Sequence, residues 1–125
     1  KQFAEMDLKI SHNIQNIALD NGALNNEREN DKIDKKRVWW VEAESVVGFI
    51  NAYQHSGEKK FLESARSVWE YIKAEMIDKR EGSEWYSEVS YDHKPHDWKE
   101  IVGPWKCPYH NGRMCMEVIN RGVDF

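Results

Sequence analysis

The sequence predicts an all-helical fold, a toroid or a bundle, on three observations. Apolar residues recur at spacings of three and four in four separate stretches, glycines close three of those stretches, and only one short segment alternates as a strand does. No internal repeat separates the two architectures.

Phe3, Met6, Ile10, Ile14 and Ile17 predict an amphipathic helix from residue 1 to about 20 with one buried stripe. No Ser, Thr, Asp or Asn precedes it as a cap, so the chain is expected to begin inside a helix, as a fragment of a longer chain. Asn21-Gly22 reads as the helix stop, and residues 25 to 36, polar and without apolar period, read as a solvated loop. From Val38 to about Gln54 the pattern is densely apolar: Trp39, Ala43, Val46, Ile50 and Tyr53 form one ridge, and Trp40 with Val47 the next. Gly57 closes this second helix, and Phe61, Ala65, Val68, Ile72 and Met76 run a third to about Met76. So short a turn makes the two helices antiparallel neighbours. Trp85 to Val89 alternates enough for a short strand, followed by a turn at Asp92 to Pro95. The last helix starts near Tyr109, behind Pro108, and ends at Arg121-Gly122.

At 125 residues, 40% hydrophobic and 32% charged, the chain has enough apolar material for one folded unit. The net charge of -4, with lysines interleaved among acids, argues against a nucleic-acid partner, and no apolar run approaches the roughly 18 residues of a membrane span. Six tryptophans and five tyrosines fit a neutral ligand such as a sugar, whose apolar ring face packs on a flat aromatic surface. Two cysteines and no leader segment give an intracellular, cytoplasmic setting as the default expectation. Cys107, His110 and Cys115 form C-x2-H-x4-C, but a structural zinc site takes four ligands and the fourth is not apparent, so no metal is expected. His93, His96 and Asp97 read as a polar loop, since no regular spacing aims them at one point.

Chemically the densest stretch is Trp105-Lys-Cys-Pro-Tyr-His-Asn-Gly-Arg-Met-Cys115, at a loop-to-helix transition. His110 and Arg113 fall in the first turn of the last helix, where the positive end of the helix dipole favours the neutral imidazole that a general base requires. The alternative is a histidine that caps or packs a helix start. Glu44 stands one turn after Trp40 on the same face, a carboxylate beside an indole in apolar surroundings. It must find a partner, either an arginine such as Arg37 or Arg113 or the hydroxyls of a ligand.

On three of these motifs the chain resembles the C-terminal third of the cellobiose 2-epimerases, within the N-acylglucosamine 2-epimerase superfamily. They are Arg37-Val-Trp-Trp-Val-Glu-Ala-Glu44, Glu84-Trp85-Tyr86 and the stretch from Trp105 to Cys115, and the resemblance covers essentially all 125 residues. Its Pro-Tyr-His-Asn-Gly form favours the disaccharide enzymes over the N-acylglucosamine epimerases. The resemblance implies an (α/α)6 barrel with residues 1 to 125 as a single C-terminal segment. It also implies inversion at C2 of a reducing-end glucose through an enediolate, with no metal or organic cofactor. His110 is then one of two acid/base histidines, Trp40 and Glu44 belong to the sugar site, Trp105 is a platform for the second sugar ring, and Trp39 and Arg113 are supporting members. The other catalytic histidine, an assisting histidine and an essential arginine would come from segments ahead of Lys1, so this chain alone is expected to be inactive and to pack against the remainder of the enzyme. Half an inner ring would leave the faces around Trp39, Val46 and Ile50 uncovered. The loop Asp92-His-Lys-Pro95 departs from the glycine-containing turn expected there. Aldose–ketose isomerases share the enediolate, and a non-catalytic fragment binding sugar through Trp40 and Trp105 is the reading from another class. A glycoside hydrolase would need two opposed carboxylates, whereas the dense stretch centres on histidine.

Overall fold

Two long helices packed against each other carry the core. The computed structural model describes the backbone of residues 2–124 and the side chains of residues 4–124. Helix α1 spans Gln2–Ile17, α2 Trp39–Ser56, α3 Lys59–Tyr71 and α4 Tyr109–Arg121. A π-helical turn at Ile72–Met76 continues α3. Three two-stranded antiparallel pairs lie between the helices: β1 (Leu19–Asp20) with β2 (Ala23–Leu24), β3 (Glu27–Glu29) with β4 (Lys32–Asp34), and β5 (Arg37–Val38) with β6 (Glu88–Val89).

Helix α2 is buried over a wide arc, with Ala43, Val46, Ile50 and Ala52 fully inside and Trp39 nearly so. Gly57 ends it at φ 74°, a left-handed conformation that glycine adopts without steric cost, and its N–H donates to the Tyr53 carbonyl at 2.7 Å. The chain then reverses within two residues, so α3 runs back along α2, and Phe49 stacks near Phe61 with ring centroids 6.3 Å apart. Phe61, Ala65, Val68, Ile72 and Met76, the ridge expected from their spacing, are all fully buried. The faces around Trp39, Val46 and Ile50, expected to lie uncovered, are closed within this chain because α3 and the loop elements pack over them.

Of the described members of the apolar stripe predicted for α1, only Ile14 packs against the core. Met6, Ile10 and Ile17 are each about half exposed, while Phe3 falls outside the described side chains. Leu8 and Ser11, outside that stripe, turn towards the core beside Ile14. Polar contacts hold the helix there: Asn51 donates to Asp7 at 2.8 Å and Gln15 to the Ser64 hydroxyl at 2.7 Å. Helix α1 also stops earlier than expected, at Ile17. Asn21 and Gly22, at φ 53° and 86°, form the two-residue turn of the β1–β2 hairpin, where both central residues need positive φ. The expected loop at 25–36 contains the β3–β4 hairpin, whose exposed, charged strands carry no apolar alternation to reveal them. The expected strand at 85–89 reduces to β6 plus a single bridge from Trp85 to Ile77. On α4, Met114 is covered, whereas Cys115 and Ile119 are exposed.

Glu42, fully buried on α2, accepts the Leu24 N–H with both carboxylate oxygens at 3.1 Å and so ties β2 to α2. Burial pushes its carboxyl up to about 8, against the opposing pull of that N–H and of Arg37. The folded chain therefore holds this proton to higher pH than the unfolded chain. The resulting stability is complete below the unfolded value of 4.5 and is lost as pH rises towards 8. Glu42→Gln keeps an acceptor for Leu24 and removes the titration. The thermal midpoint of the variant is expected to vary less than that of the wild type between about pH 5 and about pH 8, as followed by circular dichroism.

Candidate functional site

The first two turns of α2 meet the first two turns of α4, and this meeting brings together most of the residues singled out from the sequence. Strand β5 leads directly into α2, which places Trp39, Trp40 and Glu44 at its start. Pro108 precedes α4 and its carbonyl accepts the Gly112 N–H at 2.9 Å, so the helix begins where proline's missing N–H costs nothing. His110 and Arg113 thereby project from the first turn of α4.

One carboxylate joins them. Glu44 Oε1 lies 2.9 Å from His110 Nδ1, and Glu44 Oε2 accepts from an Arg113 guanidinium nitrogen at 2.6 Å. A carboxylate can only accept, so Nδ1 is the donor, and a neutral ring then carries its free lone pair on Nε2. The side chains of Glu44, His110 and Arg113 are 35, 32 and 34% exposed, which leaves them within reach of a ligand. Of the two arginines expected as partners for Glu44, Arg113 is the one. Arg37 is 2% exposed and is occupied in donating to Asn25 Oδ1 at 2.8 Å and to the Asp20 carbonyl at 2.7 Å.

Aromatic rings flank the histidine. Trp40, 43% exposed, lies 6.0 Å from the His110 ring at 43°, and Tyr109 meets it edge-on at 5.0 Å. Trp105 projects into solvent, 90% exposed, from the loop ahead of α4. It borders an open cleft of about 640 Å³ together with Trp39, Ser87, Glu88, Trp98 and Lys106. Trp39 itself is buried, with the Lys106 ammonium 5.4 Å from its ring centre, and neither its Nε1 nor the Ser87 hydroxyl has a partner among the described residues.

Four residues of this region carry no role in the sequence reading. Trp98, 75% exposed, stacks on His96 at 5.4 Å. Its loop has no periodicity, so only its residue type could have marked it. Glu84, Lys106 and Asn111 form a polar cluster behind the loop. Lys106 is 3% exposed, an unusual place for a lysine, and burial pulls its ammonium down to about 8. Elsewhere His93 reaches Glu75 at 3.5 Å and His96 reaches Glu88 at 3.1 Å, on separate partners, and Cys107 and Cys115 are exposed free thiols.

A family profile described as N-acylglucosamine 2-epimerase (GlcNAc 2-epimerase) matches residues 7–112. A cellobiose 2-epimerase of Ruminococcus albus is 81% identical over 124 residues, 99% of this chain and 32% of the relative. Among solved structures, a sugar epimerase from a ruminal bacterium superimposes with a TM-score of 0.97 at 80% identity, over 99% of this chain and 32% of its own. The cellobiose 2-epimerase of Bacillus thermoamylovorans B4167 gives 0.92 at 48%, over 97% and 31%. The chain spans about a third of the length of the relatives it matches. Its mostly helical fold with small strands is that of the C-terminal part of these (α/α)6-barrel proteins.

The shared carboxylate makes a spectroscopic prediction. In protein labelled with 15N-histidine, the His110 ring is expected to show the tautomer protonated at Nδ1, and Glu44→Ala to abolish that preference. An unchanged ring-nitrogen pattern in the variant would mean that Glu44 does not set the tautomer.

Proposed function

This chain belongs to the N-acylglucosamine 2-epimerase family, and we propose that it is the C-terminal segment of an epimerase that inverts C2 of the reducing-end glucose of cellobiose or a related β-1,4-linked disaccharide. The observation that carries this reading is the contact between His110 Nδ1 and Glu44 Oε1 at 2.9 Å, which leaves Nε2 as a base beside exposed aromatic surfaces. The open-chain sugar presents a C2–H next to the C1 aldehyde. His110 exchanges that proton: the electron pair of the C2–H bond moves into the C1–C2 double bond, and the carbonyl oxygen takes the charge as an enediolate. A second base on the opposite face, outside this chain, completes the inversion. The carbonyl is the electron sink, so the reaction as written requires no cofactor.

Glu44 orients the imidazole and stabilises the imidazolium while the ring holds the proton, as a carboxylate partner does for other catalytic histidines. Arg113, on the second oxygen of Glu44, keeps that carboxylate from rotating away. Trp40 packs against the reacting sugar beside His110, and Trp105 offers its exposed ring to the second sugar. Trp39 supports the site as a buried wall of the cleft that Trp105 borders. A cytoplasmic setting belongs to the same proposal and fits two free thiols. The remainder of the barrel is expected to cover the half-exposed face of α1 and the exposed Met116 and Ile119 of α4.

Two substitutions in the full-length enzyme test these roles. His110→Asn retains size and hydrogen bonding but cannot carry the proton, so kcat should fall by ~10²–10⁴-fold with cellobiose binding retained. Trp105→Ala should raise KM for the disaccharide while leaving much of the chemistry on a monosaccharide intact. Near-normal turnover by His110→Asn would return His110 to a structural role.

A further inference from the structure

Glu84 lies behind the loop rather than in the site, yet it touches both ends of the segment that carries the site. Its Oε1 pairs with the ammonium of Lys106, and its Oε2 accepts from Asn111 Nδ2 at 2.5 Å. Lys106 follows Trp105 in the chain, and Asn111 follows His110. Both partners are buried, at 3 and 8% exposure, while the Glu84 side chain is 21% exposed, so solvent screens these contacts less than it does fully exposed surface pairs.

Glu84 is itself fixed from the core side. Its carbonyl accepts the Asp78 N–H at 2.8 Å, the next residue bridges to Ile77, and Tyr86 N–H donates to the Met76 carbonyl at 2.8 Å. This sews the segment to the end of the π-helical turn, where Met76 is fully buried. Asp78 in turn is held by Arg80 and Ser83 at 2.5 and 2.6 Å. The loop from residue 104 to 108 has little packing of its own, since Trp105, Cys107 and Pro108 are exposed and Lys106 is its buried member. Without Glu84, Lys106 would be an unpaired buried cation, and the loop would have every reason to turn it outward.

We propose that Glu84 is a positioning residue for the reaction: its carboxylate holds Lys106 and Asn111 together and, through them, fixes the separation and aim of Trp105 and His110. This rests on the roles given to those two residues above. Glu44 sets the rotation of the His110 ring from the α2 side, whereas Glu84 sets the backbone that carries it. A largely buried ion pair of this kind contributes little net stability compared with an apolar pair of similar volume, so its value lies in geometry.

The test uses a full-length cellobiose 2-epimerase containing this segment, with kcat, KM for cellobiose and thermal midpoint measured together, and His110→Asn as the reference. Glu84→Gln is expected to lower kcat by roughly ten- to a hundredfold, the scale of a misplaced reacting group, and to raise KM because Trp105 moves too. A smaller folded fraction would lower apparent kcat and leave KM unchanged, so the two parameters separate positioning from stability. If Glu84→Gln fails to fold, Glu84→Leu with Lys106→Met decides: it replaces the ion pair by an apolar one, keeps the thermal midpoint near wild type, and still releases Asn111, so the same losses in kcat and KM are expected. A folded variant with kcat and KM within about twofold of wild type, or a kcat loss that only tracks the loss of folded protein, overturns the proposal while His110→Asn remains impaired. If His110→Asn is itself near normal, it is the assignment of the site that fails, and the role of Glu84 falls with it.

Discussion

The site depends on one carboxylate serving two donors from a neighbouring helix. Glu44 is the only described side chain that hydrogen-bonds both His110 and Arg113, and it does so from a helix whose far face is locked into the core. Each of its oxygens has one partner, so rotation of the carboxylate would break two charge-assisted or polar contacts at once. The imidazole therefore receives its orientation from α2 and its position from α4. Remove that link and α4 would keep its helix, but His110 would lose the acceptor that holds the proton on Nδ1.

Rigidity behind the link comes from apolar packing. Val46, Ile50, Phe61, Val68 and Ile72 close the α2–α3 interface completely, and each buried aliphatic or aromatic side chain of this size contributes on the order of 1.5–3 kcal/mol. The glycine at 57 lets α3 return directly along α2, and the π-helical turn after α3 brings Met76 to the strand-like segment that carries Glu84. Core, turn and polar cluster thus form a continuous path from the hydrophobic interior to the loop that presents Trp105 and His110. The exposed side of the same loop is left free, with Trp98 and Trp105 as its largest surfaces.

Helix α2, the α3 ridge and the start of α4 were readable because apolar period, glycine and proline act locally, and local rules survive folding. The pairing of Glu44 was readable only as a choice between an arginine, Arg37 or Arg113, and the hydroxyls of a ligand. Spacing shows that a carboxylate needs a partner but not which helix passes nearby, and it is the crossing of α2 and α4 that selects Arg113. The stripe on α1 misled for a related reason: period identifies residues that share a face, not whether the surface that covers them belongs to this chain. Asn21-Gly22 supports either a helix stop or a hairpin turn, and the hairpin prevailed because Leu19 and Leu24 can pair across it. Lys106 was invisible as a site residue because a lysine between a tryptophan and a cysteine reads as solvated, and its burial follows from Glu84, more than twenty residues away in sequence.

The account stands on His110 being the group that exchanges the C2 proton. The direct measurement is deuterium incorporation at C2 of cellobiose in heavy water, followed by NMR, for the full-length enzyme and its His110→Asn variant under identical conditions. The wild type is expected to place deuterium at C2 in step with epimer formation, and the variant to lose that exchange by at least ~10²-fold while still binding the sugar. Deuterium entering C2 at the wild-type rate without the His110 imidazole would contradict it.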